Sequence, residues 1–343
     1  MSVDDGRREP RVGGGAISSD SDCVGGATAG DGIAAERVIP LLDGVIEFDP
    51  IVAFPQTSAS DWDGHGEFLD SPGKLVMPYG GFLVMDTSGV TILVDVGGGP
   101  SFHVPADMCR LPKSGGLPAV LTRLGLSLAS IDAIVLTHLH TDHIGWLAPD
   151  GVPFFPRAEI HCHRADWTFF VDTPAPPDPD IPDQLAGCES RLTLWDGDRA
   201  SVGDLVLRHV PGHTPGSCVV MVPGAGGPAA VIGDLVHSPV EFLEPWDGLA
   251  DADPAMAATA RHAIKAEFAA ARTTVWGNHF PSMEPGMLGE SSDQRTTWTR
   301  CCQRRGLRPN PGWAIPLRLR HCRRRGRRRV ARHATRAPRS SAR

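Results

Sequence analysis

The 343 residues are 41% hydrophobic and carry 33 Lys+Arg against 40 Asp+Glu, which excludes a disordered or fibrous chain and suits one large globular domain or two small ones. Sixteen arginines and no acid fall in residues 300–343, so residues 1–299 hold 17 bases against 40 acids, a net charge of −23. So acidic a body is a poor general binder of nucleic acid or of an anionic membrane face, both of which need a positive surface.

Residues 1–37, rich in Gly, Ser and Asp without apolar periodicity, read as a flexible leader. They lack the apolar stretch of a secretory signal, and no run nears the roughly 18 apolar residues of a membrane span, so a soluble, cytoplasmic protein is expected. From Val38 short apolar runs begin: VIPLLDGVIEF, then GGFLVMDTSGVTILVDVGGG, in which two β-rich stretches flank Thr87-Ser88-Gly89 and predict a hairpin. A helix is expected over Leu117–Leu126. Short strands bounded by Gly, Pro or Asp follow: IDAIVLTH, AEIHCH, SRLTLW, LVLRHVPG, SCVVMVP and AAVIGD. The Pro-rich residues 172–183 can hold neither helix nor strand and read as a long surface loop over a site. Residues 254–272, Ala-rich and opened by Pro254, predict a helix leading into the strand TTVWGNH. Strands that outnumber the helices recurring between them make a layered α/β sandwich over residues 38–290. Residues 291–343 form an Arg-rich tail, expected to be disordered. The whole chain has only Lys74, Lys113 and Lys265, so an all-arginine tail favours a frame-shifted or dispensable stretch over a nucleic-acid arm. The eight cysteines show no CxxC spacing and are assigned no chemistry.

The strand-like DAIVLT runs directly into HLHTDHIGW, placing His138, His140, Asp142 and His143 within six residues. Alternate residues of extended chain point the same way. His138 and His140 can therefore converge on one point while the following turn directs Asp142 and His143 at its neighbour, which makes two adjacent metal sites geometrically natural. His213 in PGHTPGS, Asp234 in IGD and His279 in WGNHF each follow a strand's C-terminal end, where active sites of layered α/β folds lie on loops held by the sheet. A lone histidine is more often structural than ligating, but these motifs occurring jointly and in this order favour a metal centre.

Over roughly residues 75–285 the motifs resemble those of the metallo-β-lactamase-fold hydrolase superfamily. The resemblance implies a four-layer αββα sandwich, with His138, His140 and His213 on one metal, Asp142, His143 and His279 on the other, and Asp234 bridging both. Asp95 in ILVDVGGG matches the acid of the family's first motif, where a structural role behind the ligands is expected. Two divalent cations are the expected cofactors. Histidine and carboxylate suit zinc, and iron, manganese and cobalt also accept them. Water bridging such a pair has its pKa lowered from 15.7 towards about 7 and becomes the hydroxide nucleophile, with Asp142 counted among the catalytic residues.

The full ligand set resembles lactonases, glyoxalase II-like thioesterases and organophosphate hydrolases rather than β-lactamases. Acyl-homoserine lactonases present a Tyr shortly after the bridging Asp; here the single Tyr is Tyr79, and His237 in GDLVHSPVEF occupies that neighbourhood, as in methyl parathion hydrolase-like members. Facing the cleft, His237 would bond a substrate oxygen or protonate a leaving group; otherwise it is a core or surface histidine. The expected reaction is cleavage of an ester, lactone or related neutral acyl or phosphoester substrate. The competing readings are a mononuclear iron enzyme resembling persulfide dioxygenases, a glyoxalase II-type thioesterase, and a nonenzymatic binding relative. Trp146, Trp167, Phe169, Phe170, Phe242 and Trp246 are each better read singly as core, yet together they suggest a small, largely apolar substrate. No nucleic-acid or membrane partner is expected, and a homodimer is left open as the assembly. His161 and His163 are read as structural.

Overall fold

Alternation along the central strands builds the layers. The structure is a computed structural model, and it describes residues 37–70, 73–100, 102–103, 115–224, 227–248 and 250–301; the leader read over 1–37 falls outside these apart from Arg37, and so does the tail beyond Cys301. The first sheet is ordered β1 (Val38–Phe48), β2 (Leu75–Met85), β3 (Thr91–Val94), β4 (Ala133–Val135), β5 (Glu159–His163) and β6 (Leu192–Trp195). It is antiparallel from β1 to β3 and parallel from β3 to β6. The second contains β7 (Arg199–Val202), β8 (Leu205–His209), β9 (Cys218–Val222), β10 (Ala229–Val231), β11 (Thr274–Trp276), β12 (Gly286–Glu290) and β13 (Thr296–Arg300), adjacent in that order and antiparallel except for the parallel β10–β11 pair.

Ile92 and Val94 of β3 and Val135 of β4 point between the sheets, against Val220 and Val222 of β9 and Val231 of β10. Their neighbours Leu93 and Ile134 point outward into a second core. Strands buried on both faces read as unbroken apolar runs, as ILV and AIV do. The outer face of the first sheet is covered by α2 (Leu117–Arg123), α3 (Thr141–Ile144), α4 (Arg164–Phe170) and α5 (Asp180–Leu185), after the short N-terminal α1 (Pro50–Ala53). α6 (Val240–Leu243) and α7 (Pro254–Ala271) cover the second through Phe242, Ile264 and Phe268. The result is the four-layer αββα sandwich, of mixed α/β class, that the resemblance implies.

The predicted hairpin is the β2–β3 pair, with the Asp86 carboxylate accepting from the Ser88 and Val90 amides across its turn. The first predicted helix stops at Arg123, since Gly125 takes a positive φ of 74°. Residues 172–183 are not all loop. Asp180–Leu185 is helical, because Pro182 lies in the first turn, where a missing N–H costs nothing, and Ile181 and Leu185 are buried. α7 follows its signals: Asp253 caps it by accepting from the Met256 amide, Pro254 opens it, and Arg272 ends it in left-handed geometry.

The second sheet also continues past residue 290, where the sequence-drawn domain ends. β13 pairs with β12 over Thr296–Arg300, and Trp298 packs on Phe242 and Phe280. A chain ending at residue 290 should therefore melt roughly 4–8 °C below one ending at residue 301, from about 2 kcal/mol of lost aromatic burial. Equal thermal midpoints for the two truncations would show that the strand contributes nothing.

Candidate metal centre

Every predicted ligand leaves the end of a strand on the same rim of the sandwich. After β4 the chain runs through Thr137 and His138 to His140, which precedes α3, so Asp142 and His143 sit in a helical turn. That turn packs so tightly on residues 97–99 that a Cβ on Gly145 would overlap the Gly98 carbonyl. His213 follows β8, Asp234 follows β10 and His279 follows β11.

The side chains converge. His138 Nε2 and His213 Nε2 each lie 3.0 Å from His140 Nδ1, and they are 3.7 and 3.6 Å from Asp234 Oδ2. On the other side, Asp142 Oδ2 is 3.8 Å from His143 Nε2 and 3.4 Å from His279 Nε2, which lie 3.3 and 3.1 Å from the same Asp234 oxygen. One carboxylate oxygen thus faces two donor groups, and within each, His138, His140 and His213 or Asp142, His143 and His279, the ligand atoms lie within 4.8 Å of one another.

Hydrogen bonds behind the rings set the tautomers. His143 Nδ1 meets Asp95 Oδ2 at 2.9 Å, His213 Nδ1 meets Asp251 Oδ1 at 3.1 Å, and His279 Nδ1 meets the Pro78 carbonyl at 2.8 Å. All three partners only accept, so Nδ1 carries the proton. Thr137 Oγ1 donates to Asp95, which leaves it to accept from His138 Nδ1 at 3.1 Å. These four rings therefore present bare Nε2 lone pairs inward, and His140 presents Nδ1. His140 Nδ1, 3.0 Å from two of those lone pairs, either donates to one of them or shares a cation with both. Among the described residues, His143 Nε2 and Asp234 Oδ1 are moreover buried without a hydrogen-bond partner. The donor set fits divalent cations of the zinc type.

Electrostatics agree. Burial pushes His138 and His213 down and takes His140 to about 3, keeping those imidazoles neutral, the form that ligates. Around His143 burial acts the same way but Asp234, Asp142 and Asp95 outweigh it, so this half of the site attracts positive charge. His237 is buried with Nε2 3.4 Å from Asp234 Oδ2, its ring stacked on His279 at 5.5 Å. Burial would depress it, but Asp234 and Glu241 raise it to about 10 in the absence of cations.

Several supporting residues escape a reading of the sequence. Asp166 of α4 is buried and accepts from the Leu139 amide, Thr214 Oγ1 and the Gly216 amide, clamping the two ligand loops together, while burial pushes its carboxyl up to about 7. Asn278 donates to Asp95. Asp251 supports His213, and Glu241 accepts from the His237 and Ser238 amides. For Asp166, an acid buried in an otherwise apolar helical stretch is the sign in the sequence.

The aromatic candidates divide. Phe170 meets His140 edge-on at 5.6 Å and touches Phe169. Trp146 instead donates to Asp43, Trp167 to Asp172, Phe242 packs on Trp298, and Trp246 joins Phe54 and Trp62. Tyr79 is buried beside Phe102. His163 stacks on His209 at 3.9 Å and His161 lies 3.8 Å from Glu159, both away from the ligand cluster. Cys162, Cys188 and Cys218 are buried thiols.

The family model described as the metallo-beta-lactamase superfamily matches residues 82–274, more than half of the chain. Comparison with curated proteins finds no match. Among solved structures, the hydrolase AbOPH of the beta lactamase superfamily superposes with a TM-score of 0.67 at 23% identity, covering 77% of this chain and 94% of its own. AidC, a dizinc quorum-quenching lactonase, gives 0.66 at 22% identity over 78% and 97%. A probable metal-dependent hydrolase from Staphylococcus aureus gives 0.65 at 16% over 79% and 98%.

Proposed function

The chain is a metal-dependent hydrolase of the metallo-beta-lactamase superfamily, and we propose that it holds two divalent cations, zinc foremost, and hydrolyses an ester, lactone or related neutral acyl or phosphoester substrate. The observation that carries this reading is the position of Asp234 Oδ2 between His138 and His213 on one side and His143 and His279 on the other. When bound, the cations supply a water deprotonated near neutral pH and a Lewis acid for the substrate's carbonyl or phosphoryl oxygen. His138, His140 and His213 would hold one of them, Asp142, His143 and His279 the other, and Asp234 both. A mononuclear iron reading uses three of these seven groups and leaves four clustered polar side chains without a task.

His237 lies beside Asp234 and between the rings of His213 and His279, within reach of a substrate oxygen at the centre. As a general acid it would protonate the leaving group. Phe170 at the His140 edge supports an apolar substrate, as does the acidic body.

Elemental analysis of the purified full chain should give two cations per chain, and a panel of a lactone, an aryl ester, a thioester and a phosphotriester should show turnover of at least one. Fully active protein with a single iron would overturn the proposal. His237→Ala should keep both cations and lower kcat by about 10²-fold or more; unchanged kinetics on every accepted substrate would make His237 a core residue.

A further inference from the structure

α7 buries one stripe, Ala257, Arg261, Ile264 and Phe268, spaced as successive turns of one helical face. Arg261 is the exception in it: a guanidinium only 5% exposed, in a row of apolar residues. An ionised side chain is costly to bury unless it is paired.

Its partners are two further buried acids. Arg261 Nη1 donates to Asp251 Oδ2 at 2.9 Å and lies 3.9 Å from Glu241 Oε1, and the side chains of both acids are fully buried. Each acid reaches the metal centre by its other oxygen. Asp251 Oδ1 accepts from His213 Nδ1, and Glu241 Oε2 accepts from the backbone amides of His237 and Ser238 at 2.6 and 2.9 Å. The backbone repeats the link, since Ala252 and Asp253 donate to the His213 and Gly212 carbonyls. Gly248 closes over the cluster so tightly that a Cβ there would come within 2.9–3.0 Å of Arg261, Glu241 and Asp251.

We propose that Arg261 is a positioning residue of the metal centre: its hydrogen bond holds Asp251 on the Nδ1 side of His213, and its charge, 3.9 Å from Glu241 Oε1, balances the acid beneath the turn that carries His237. The proposal rests on the dinuclear reading. Without the guanidinium, two buried carboxylates face each other across Gly248, and Asp251 loses the bond that orients it towards His213. Loss of such a supporting partner weakens metal binding by about 10–100-fold. The effect is selective, because His143 and His279 take their support from Asp95 and Pro78 instead.

The test uses the metal-free full chain, titrated with Zn²⁺ against a chromogenic chelator, alongside thermal melts and the Co²⁺ absorption spectrum. Wild type should bind two equivalents; fewer would overturn the dinuclear reading, and this proposal with it, before any variant is compared. Arg261→Met should bind one equivalent about 10–100-fold more weakly, leave the other unchanged and shift the Co²⁺ spectrum. Arg261→Lys, which keeps the charge, should recover most of the loss. A folded Arg261→Met with both affinities and the spectrum unchanged would overturn the proposal. If that variant does not fold, Asp251→Asn decides, since it keeps the shape and the arginine contact: selective weakening of one equivalent supports the proposal, and two unchanged equivalents overturn it.

Discussion

Asp234→Ala should lose both cations and nearly all hydrolysis while keeping its fold. Asp234 Oδ2 lies 3.1–3.7 Å from the Nε2 atoms of His138, His143, His213 and His279, so its carboxylate faces both halves of the centre. Removing it takes one negative charge from each half at once. With the Lewis acid and the lowered water pKa gone, several kcal/mol of transition-state stabilisation disappear, on the order of 10³-fold or more in kcat/KM. The fold should survive because, among the described residues, the carboxylate supports no backbone group: it meets histidine rings, and its Oδ1 has no hydrogen-bond partner. Elemental analysis and far-UV circular dichroism would check this together. A folded variant that still carries two cations would show that the bridge lies elsewhere.

The candidate ligands were legible as a cluster because they are local. His138 to His143 form one motif at one strand end, and His213, Asp234 and His279 each sit in a short Gly-containing turn after an apolar run. Asp95 was legible for the same reason. Their supports are not local. Asp251 reaches His213 across 38 residues, Asn278 reaches Asp95 across 183, and Asp166 reaches Leu139 across 27, all through tertiary packing that no spacing announces. In the fold, β3, β4, β9 and β10 stood out because burial on both faces writes continuous apolar runs. β13 did not: TTWTR is an edge strand with half-exposed residues, and it adjoins the arginine-rich stretch. Trp146 lies three residues after His143, but the helical turn ends at Ile144, and its indole donates to Asp43 as the core reading of the single residue expects.

Asp95→Ala should cost both stability and the second cation. Asp95 is fully buried and gathers four donors: the Thr137 amide at 2.8 Å on Oδ1, then Thr137 Oγ1 at 2.8 Å, His143 Nδ1 at 2.9 Å and Asn278 Nδ2 at 3.1 Å on Oδ2. Truncation leaves these donors buried without an acceptor, at about 1–3 kcal/mol for each one left unsatisfied. Allowing for partial relaxation, the loss should be on the order of 4 kcal/mol, or roughly 8–16 °C in the thermal midpoint of the metal-free chain. His143 would also lose the acceptor that holds its proton on Nδ1. Its Nε2 lone pair is then no longer committed to the centre, and affinity for the cation shared with Asp142 and His279 should fall about 10–100-fold. Asp95→Asn separates the two effects. It keeps the shape, and asparagine tolerates the positive φ of 59° at this position. Its single carbonyl can stay on the Oδ2 side and serve His143, while its NH2 opposes the Thr137 amide. The expected pattern is therefore a stability loss of about 1–3 kcal/mol with metal affinity largely retained. Calorimetric melts of the metal-free variants and Zn²⁺ titration would read the two quantities separately. An Asp95→Ala protein with an unchanged second affinity would mean that His143 is oriented by its own packing and not by the carboxylate behind it.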